Sequence, residues 1–212
     1  GTPRASAVAI TRANDTSVWA GTTSGSLTED DSTTTATGPL TISDADDGES
    51  PTITDVSSTA GANGYGNFVM ASGTWTYTID SSATDALDAG DSVTDTYAFA
   101  ASDLTTQTVT ITIAGANDAP VFGDGSTASA SVEEGATTVA TYAATDVDTD
   151  AVLTYSVGGT DSALFSAVTT TGPLSFSTSP DYVSGTACAA GTGCAGVLTV
   201  ICTADTAALT ET

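Results

Sequence analysis

Apolar and polar residues alternate with period two along this chain, in short runs broken by turn residues. The runs are 74–79 (TWTYTI), 93–99 (VTDTYAF), 108–113 (TVTITI), 152–157 (VLTYSV), 174–178 (LSFST) and 197–202 (VLTVIC). They are rich in Thr, Val, Ile and Tyr, side chains that fit a pleated, half-buried surface. Between them lie GANGYG (61–66), DDGES (46–50) and VGGTD (157–161), which carry the Gly, Asp, Asn and Ser of tight turns. No stretch shows sustained helical periodicity with caps, and 81–91 (SSATDALDAGD) has room for one helical turn. The pattern predicts an all-β chain of short strands, which reads as a sandwich. Trp75, Tyr77, Tyr97 and Phe99 fall at core positions, and Trp19 and Phe122 each follow an Asn-Asp pair at similar offsets, where they read as packing under the linker, the alternative being sugar binding.

One run recurs. Residues 5–16 (ASAVAITRANDT) match 108–119 (TVTITIAGANDA): an alternating strand, a small-residue turn, then Asn-Asp. Asn14 and Asn117 stand roughly 100 residues apart, the usual length of one β-sandwich, so the chain reads as two modules. The expected division is an N-terminal strand at 1–13, a sandwich at 14–118 and a second sandwich at 119–212. The second copy of the run closes the first module, whereas the first copy has no module upstream. The last module ends at VLTVICTAD (197–205) without a matching closing strand. The expectation is a donor strand formed by Ala5, Ser6, Ala7, Val8, Ala9, Ile10, Thr11 and Arg12, burying Val8 and Ile10 in the last sandwich of another copy. One donor per subunit makes a heterologous, open filament.

Composition narrows the chemistry. The net charge is −24, from 26 acidic and 2 basic residues, with no His. The bases are Arg4 and Arg12, and there is no Lys. A polyanion repels nucleic acid and anionic lipid. Phosphate-cradling lysines, Schiff bases and histidine general bases have no residue to perform them, so the chain reads as no enzyme. Lys–Asn isopeptide braces are impossible, and three scattered Cys make no zinc site. No run reaches the ~18 apolar residues of a membrane span. Cys188 and Cys194 flank AAGTG, where a local disulfide fits an oxidising, extracellular setting; Cys202, in a strand, reads as a buried inert thiol, the alternative being an intermolecular bridge. Asn14-Asp15-Thr16 fits the N-glycosylation pattern.

The carboxylates form two repeating constellations: Asp15, Glu29, Asp44, Asp46 and Asp103, then Asp118, Glu134, Asp146, Asp148 and Asp205, with Asn117 beside Asp118. Asp44/Asp46 and Asp146/Asp148 sit two residues apart, a spacing that in a loop wraps one hard cation such as Ca²⁺. Two other readings stay open: the same composition makes ordinary Asx turns, and an acidic surface aids solubility in a saline habitat.

Residues 26–119 resemble a VCBS repeat of large bacterial surface adhesins, through SLTEDDSTTTATGPLTISDADDGE, GYGNFVMASGTWTYTID, ALDAGDSVTDTYAFAASD and TVTITIAGANDAP. Residues 120–212 resemble a bacterial cadherin-like domain, through APVF, SVEEGATTVATYAATDVDTD, LTYSVGGTDSALF, TTGPLSFSTSPDYV and VLTVICTAD. Val183 stands where that family has an acidic residue, and the segment with two Cys departs from its pattern. The resemblance implies two tandem Ig/cadherin-like Greek-key β-sandwiches, with Ca²⁺ held by the early Glu, the Asp-x-Asp pair and the linker Asn-Asp. It further implies a role in adhesion, surface coats or biofilm fibres; together with the donor strand at 5–12, the expected function is a secreted structural subunit of an extracellular filament or surface fibre that joins head to tail with itself. The alternatives are an extender fragment of a large Ca²⁺-dependent adhesin and a virion surface or fibre protein.

Overall fold

The computed structural model describes residues 13–123, 125, 130, 132–133, 135–159, 162–167, 173–177 and 198–203. The expected donor strand (5–12), Glu134, Asp205, Cys188 and Cys194 lie outside the described residues. The described chain is all-β, in two compact units: residues up to Thr84 with Ser92–Ala114, and Asp85–Asp91 with Gly115 onward.

The first unit holds β1 (Val18–Gly21), β2 (Ser24–Thr28), β3 (Thr35–Ser43), β4 (Val56–Ala60), β5 (Gly66–Ala71), β6 (Thr74–Ile79), one helical turn α1 (Ser81–Thr84), β7 (Ser92–Ala100) and β8 (Thr106–Ala114). Five strands form one sheet in the order β1-β3-β6-β5-β4, and three form another in the order β2-β8-β7. Strands β4, β5 and β6 are successive neighbours and β3 returns beside β6, the Greek-key order. All ladders are antiparallel except β2–β8, which is parallel. The chain changes sheets between β1 and β2 at Gly21 (φ 120°), where a Cβ would run into the Pro39 carbonyl, so only glycine fits.

Between the sheets the period-two pattern delivers its apolar phase. Phe68, Met70, Trp75, Tyr77 and Leu40 come from one side and Phe99, Val109, Ile111, Ile113 and Leu27 from the other, all buried. Phe68 packs on Tyr77 at 4.6 Å between ring centroids and on Phe99 at 6.1 Å. The Trp75 indole donates to the Thr22 carbonyl (2.7 Å) and lies in a slot made by two glycines. A Cβ on Gly38 would stand 2.8 Å from the indole and one on Gly25 would stand 3.2 Å from it.

The inward phase of β7 also carries an acid. Asp95 is fully buried, and its carboxylate accepts from the amides of Asn63 (2.9 Å), Tyr65 (3.1 Å) and Thr96 (3.0 Å) and from the Tyr77 hydroxyl (3.1 Å). Gly61 presses on it so closely that a Cβ would overlap both oxygens. The 61–65 turn is therefore wrapped around a carboxylate. Burial, then the charge of Asp95, push the Tyr77 phenol well above its usual range. Along its outer margin β7 is bonded by the β3–β4 connection and the 61–65 turn: the carbonyls of Thr94, Thr96 and Ala100 accept from Asn63, Ala62 and Thr54.

The second unit's described strands are β9 (Val121–Phe122), β10 (Thr138–Thr141), β11 (Ala144–Thr145), β12 (Thr154–Gly159), β13 (Phe165–Ala167), β14 (Pro173–Phe176) and β15 (Leu198–Thr203). They pair as β10-β14-β13, β11-β9 and β12-β15. Ala144, Tyr155 and Cys202 form its core, with Phe122 and Leu153 against them; the Tyr155 hydroxyl accepts from the Ala144 amide (3.0 Å). Cys202 is a buried free thiol, and burial raises its pKa.

Candidate metal centre

The acidic loop of the first unit begins where β3 ends. The Asp44 carboxylate accepts from the Asp46 amide (2.8 Å), and the Asp46 carboxylate accepts from the Asp15 amide (2.6 Å). The Asn14 side chain donates to the Asp15 carbonyl (2.7 Å), and the Glu49 amide donates to the Asp46 carbonyl (3.2 Å). This folding brings one carboxylate oxygen each from Asp44, Asp46 and Glu49 within 4.8 Å of one another.

The second unit repeats the wiring. Asp146 accepts from the Asp148 amide (3.0 Å), Asp148 from the Asp118 amide (2.9 Å), and Asn117 donates to the Asp118 carbonyl (2.5 Å). The Ala151 amide faces the Asp148 carbonyl at 3.5 Å, as Glu49 faces Asp46. Asp148 is 8% exposed, and the second oxygen of Asp146 is buried with no hydrogen-bond partner among the described residues. The segment Asp85–Asp91 joins this loop: Thr149 donates to the Ala86 carbonyl (2.8 Å), and the Asp150 amide lies 3.4 Å from the Asp88 carboxylate. Asn117, Asp118, Asp146 and Asp148 are thus one group.

The remaining sequence candidates fall elsewhere. Asp103 lies in the β7–β8 turn, where it accepts from the amide and hydroxyl of Thr105 (3.0 and 2.8 Å). Hydrogen bonds from the Ser17 hydroxyl and then from Thr105 hold its carboxyl below the usual range. Glu29, 2% exposed, follows β2 and donates its amide to the Ala114 carbonyl (3.0 Å). Asp103 and Glu29 therefore flank opposite ends of β8, roughly 30 Å apart at 3.4 Å per residue, and do not share one site. Glu49 and Asp88 are carboxylates of these loops that the sequence reading did not single out. Glu49 was legible only as part of a turn, and Asp88 only as part of a helical turn.

Electrostatics favours a cation. Every basic side chain of the protein lies within residues 1–12, so residues 13–212 offer no Lys, Arg or His to neutralise either cluster. Two unit charges about 4 Å apart repel by roughly 1 kcal/mol in water and roughly 4 kcal/mol at a protein surface. Oxygen-only donors of this kind fit a hard divalent ion, Ca²⁺ above all.

No family model and no curated protein matches the chain. Among solved structures it is similar to mouse cadherin-23 EC22-24, at 19% identity over 79% of this chain and 55% of that one, with a TM-score of 0.46. It is also similar to human CDH23 EC21-23, at 21% identity, 78% and 55% coverage and a TM-score of 0.46. For human protocadherin-24 EC1-2 the values are 17%, 91%, 97% and 0.44. The chain thus spans about half the length of the two cadherin-23 structures. Among the described residues, no helix is long and apolar enough to cross a membrane.

Proposed function

We propose that this chain is a structural subunit of an extracellular filament or surface fibre, made of tandem sandwiches stiffened by Ca²⁺ at their acidic loops. The observation that carries the reading is the repeated wiring, Asp15–Asp46–Asp44 in one unit and Asp118–Asp148–Asp146 in the other, in a sequence with no base after residue 12. Extracellular Ca²⁺ modules bind at roughly 10⁻⁴–10⁻³ M. At millimolar free ion, about one to ten times Kd, one site stabilises the fold by roughly 0.4–1.4 kcal/mol. Thermal unfolding in millimolar Ca²⁺ and in chelator tests this. A melting temperature that rises with Ca²⁺ but not with matched ionic strength supports the site; equal melting in all three buffers leaves only a saline-adapted surface.

Assembly is the second part of the proposal. Among the described residues β15 is paired with β12 alone, which favours β15 as the edge that receives residues 5–12 of another copy. Burying Val8 and Ile10 would contribute roughly 1.5–3 kcal/mol each, with ladder hydrogen bonds besides. Electron microscopy of the purified protein, with and without residues 1–12, tests it. Ordered fibres from the shortened protein would refute the donor strand.

A further inference from the structure

Asn14 and Thr16 frame a motif that the acidic loop leaves unused. An asparagine with Ser or Thr two residues later, and no Pro between, is the acceptor pattern of N-glycosylation, and it belongs on a surface loop. Asparagine occurs at 14, 63, 67 and 117, and the pattern is complete at Asn14 alone. Asn63-Gly64-Tyr65, Asn67-Phe68-Val69 and Asn117-Asp118-Ala119 all lack the hydroxyl. The structure sets Asn14 apart in the same way. Ala13, Asn14, Asp15 and Thr16 are all exposed and lie ahead of β1, outside any strand. The Asn63 side chain is engaged by the Thr94 carbonyl, Asn67 is held in the β5–β6 ladder opposite Thr78, and Asn117 is half-buried. The bond from the Asp15 amide to the Asp46 carboxylate (2.6 Å) seats the 14–16 segment on the folded unit while Asn14 and Thr16 stay exposed. Asn14 donates one amide N–H to the Asp15 carbonyl (2.7 Å). Its amide nitrogen carries two, so a substituent in place of the second leaves this bond intact.

We propose that Asn14 is an N-glycosylation site, and that its glycan comes from a lipid-linked sugar diphosphate. The inference rests on the extracellular part of the reading above, because such a glycan belongs to surface loops of secreted chains. In the transfer the Asn14 Nδ2 forms a bond to the anomeric carbon of the first sugar. The bond from that carbon to the diphosphate oxygen breaks, and the lipid diphosphate leaves with the electron pair. The displaced amide proton passes to a base of the transferase. Thr16 supplies the hydroxyl by which the acceptor is recognised, a role that serine can fill and alanine cannot.

The test is intact-mass measurement of the protein from its native cells, as wild type, Asn14→Gln, Thr16→Ala and Thr16→Ser, with fragment sequencing of peptides that contain residue 14. Wild type is expected to exceed its sequence mass by whole sugar residues carried on Asn14. Asn14→Gln and Thr16→Ala should lose that excess completely, and Thr16→Ser should keep it. The substituted side chains are exposed, so all four chains are expected to fold, which cooperative tryptophan-detected melting verifies. An unmodified Asn14 in chains recovered outside the cell overturns the proposal and leaves the fibre reading in place. A mass excess that persists in both Asn14→Gln and Thr16→Ala also overturns it, because the sugars then sit elsewhere. Unmodified chains confined to the cytoplasm overturn the proposal and the extracellular reading together.

Discussion

Replacing Asp95 with alanine removes the acceptor of four donors at once. The donors are not equally harmed. The Tyr77 hydroxyl belongs to a residue with no exposure, whereas Asn63 is exposed and Tyr65 and Thr96 are half-buried, so water can reach their amides. Each stranded buried donor costs roughly 1–3 kcal/mol, and bonds to a charged acceptor lie at the upper end. One such donor and three weakened amide bonds, less the relief of no longer burying a carboxylate, give about 2–3 kcal/mol. That is a large part of the roughly 5–15 kcal/mol that holds a domain together. Asp95→Asn should lose about half as much, because one oxygen still serves Asn63 and Thr96 while the new NH₂ faces the donors Tyr65 and Tyr77. Urea unfolding followed by tryptophan emission isolates the effect, since Trp19 and Trp75 are the chain's two tryptophans and both lie in the first unit. An alanine variant within about 1 kcal/mol of wild type would show that the 61–65 turn does not depend on this carboxylate.

The same network predicts alkaline sensitivity. The Tyr77 phenol is raised above its ordinary value of 10.0 by burial and by Asp95, so the folded state retains a proton that the unfolded state loses. Its contribution is intact below pH 10.0 and declines as pH rises beyond it; Tyr77→Phe should flatten that slope while costing about 1–3 kcal/mol at neutral pH. Gly38→Ala should cost about 1–3 kcal/mol and shift Trp75 emission, because the new methyl meets Thr22 at 2.7 Å and the indole at 2.8 Å. Cys202 should resist alkylation at neutral pH until the second unit is unfolded, since burial raises its thiol pKa; rapid labelling of the native protein would contradict its core position.

Alternation alone was enough to read β6, which spans Thr74–Ile79 as the pattern predicts, and nearly enough for β7 and β8. It failed for β3 and β5 for physical reasons. Strand β3 contains Gly38-Pro39, a pair that signals a turn but here makes room for Trp75, and β5 starts at the last glycine of the GANGYG turn. Asp95 carried a signal that went unused: it shares the inward phase of 93–99 with Tyr97 and Phe99, and an acid in an apolar phase needs donors nearby. The Asp44/Asp46 and Asp146/Asp148 pairs were legible because a two-residue spacing is a local property. Joining Asp15 to Asp46, and separating Glu29 from Asp103 along β8, depends on long-range pairing that no local pattern encodes.

The covered margin of β7 also limits how such molecules can meet. With Asn63, Ala62 and Thr54 already seated on its carbonyls, a foreign strand would have to peel those two loops away before it found a free ladder. Sideways fusion of neighbouring first units along that border is therefore discouraged, and a crowded population of these acidic molecules is steered away from tangled sheets there.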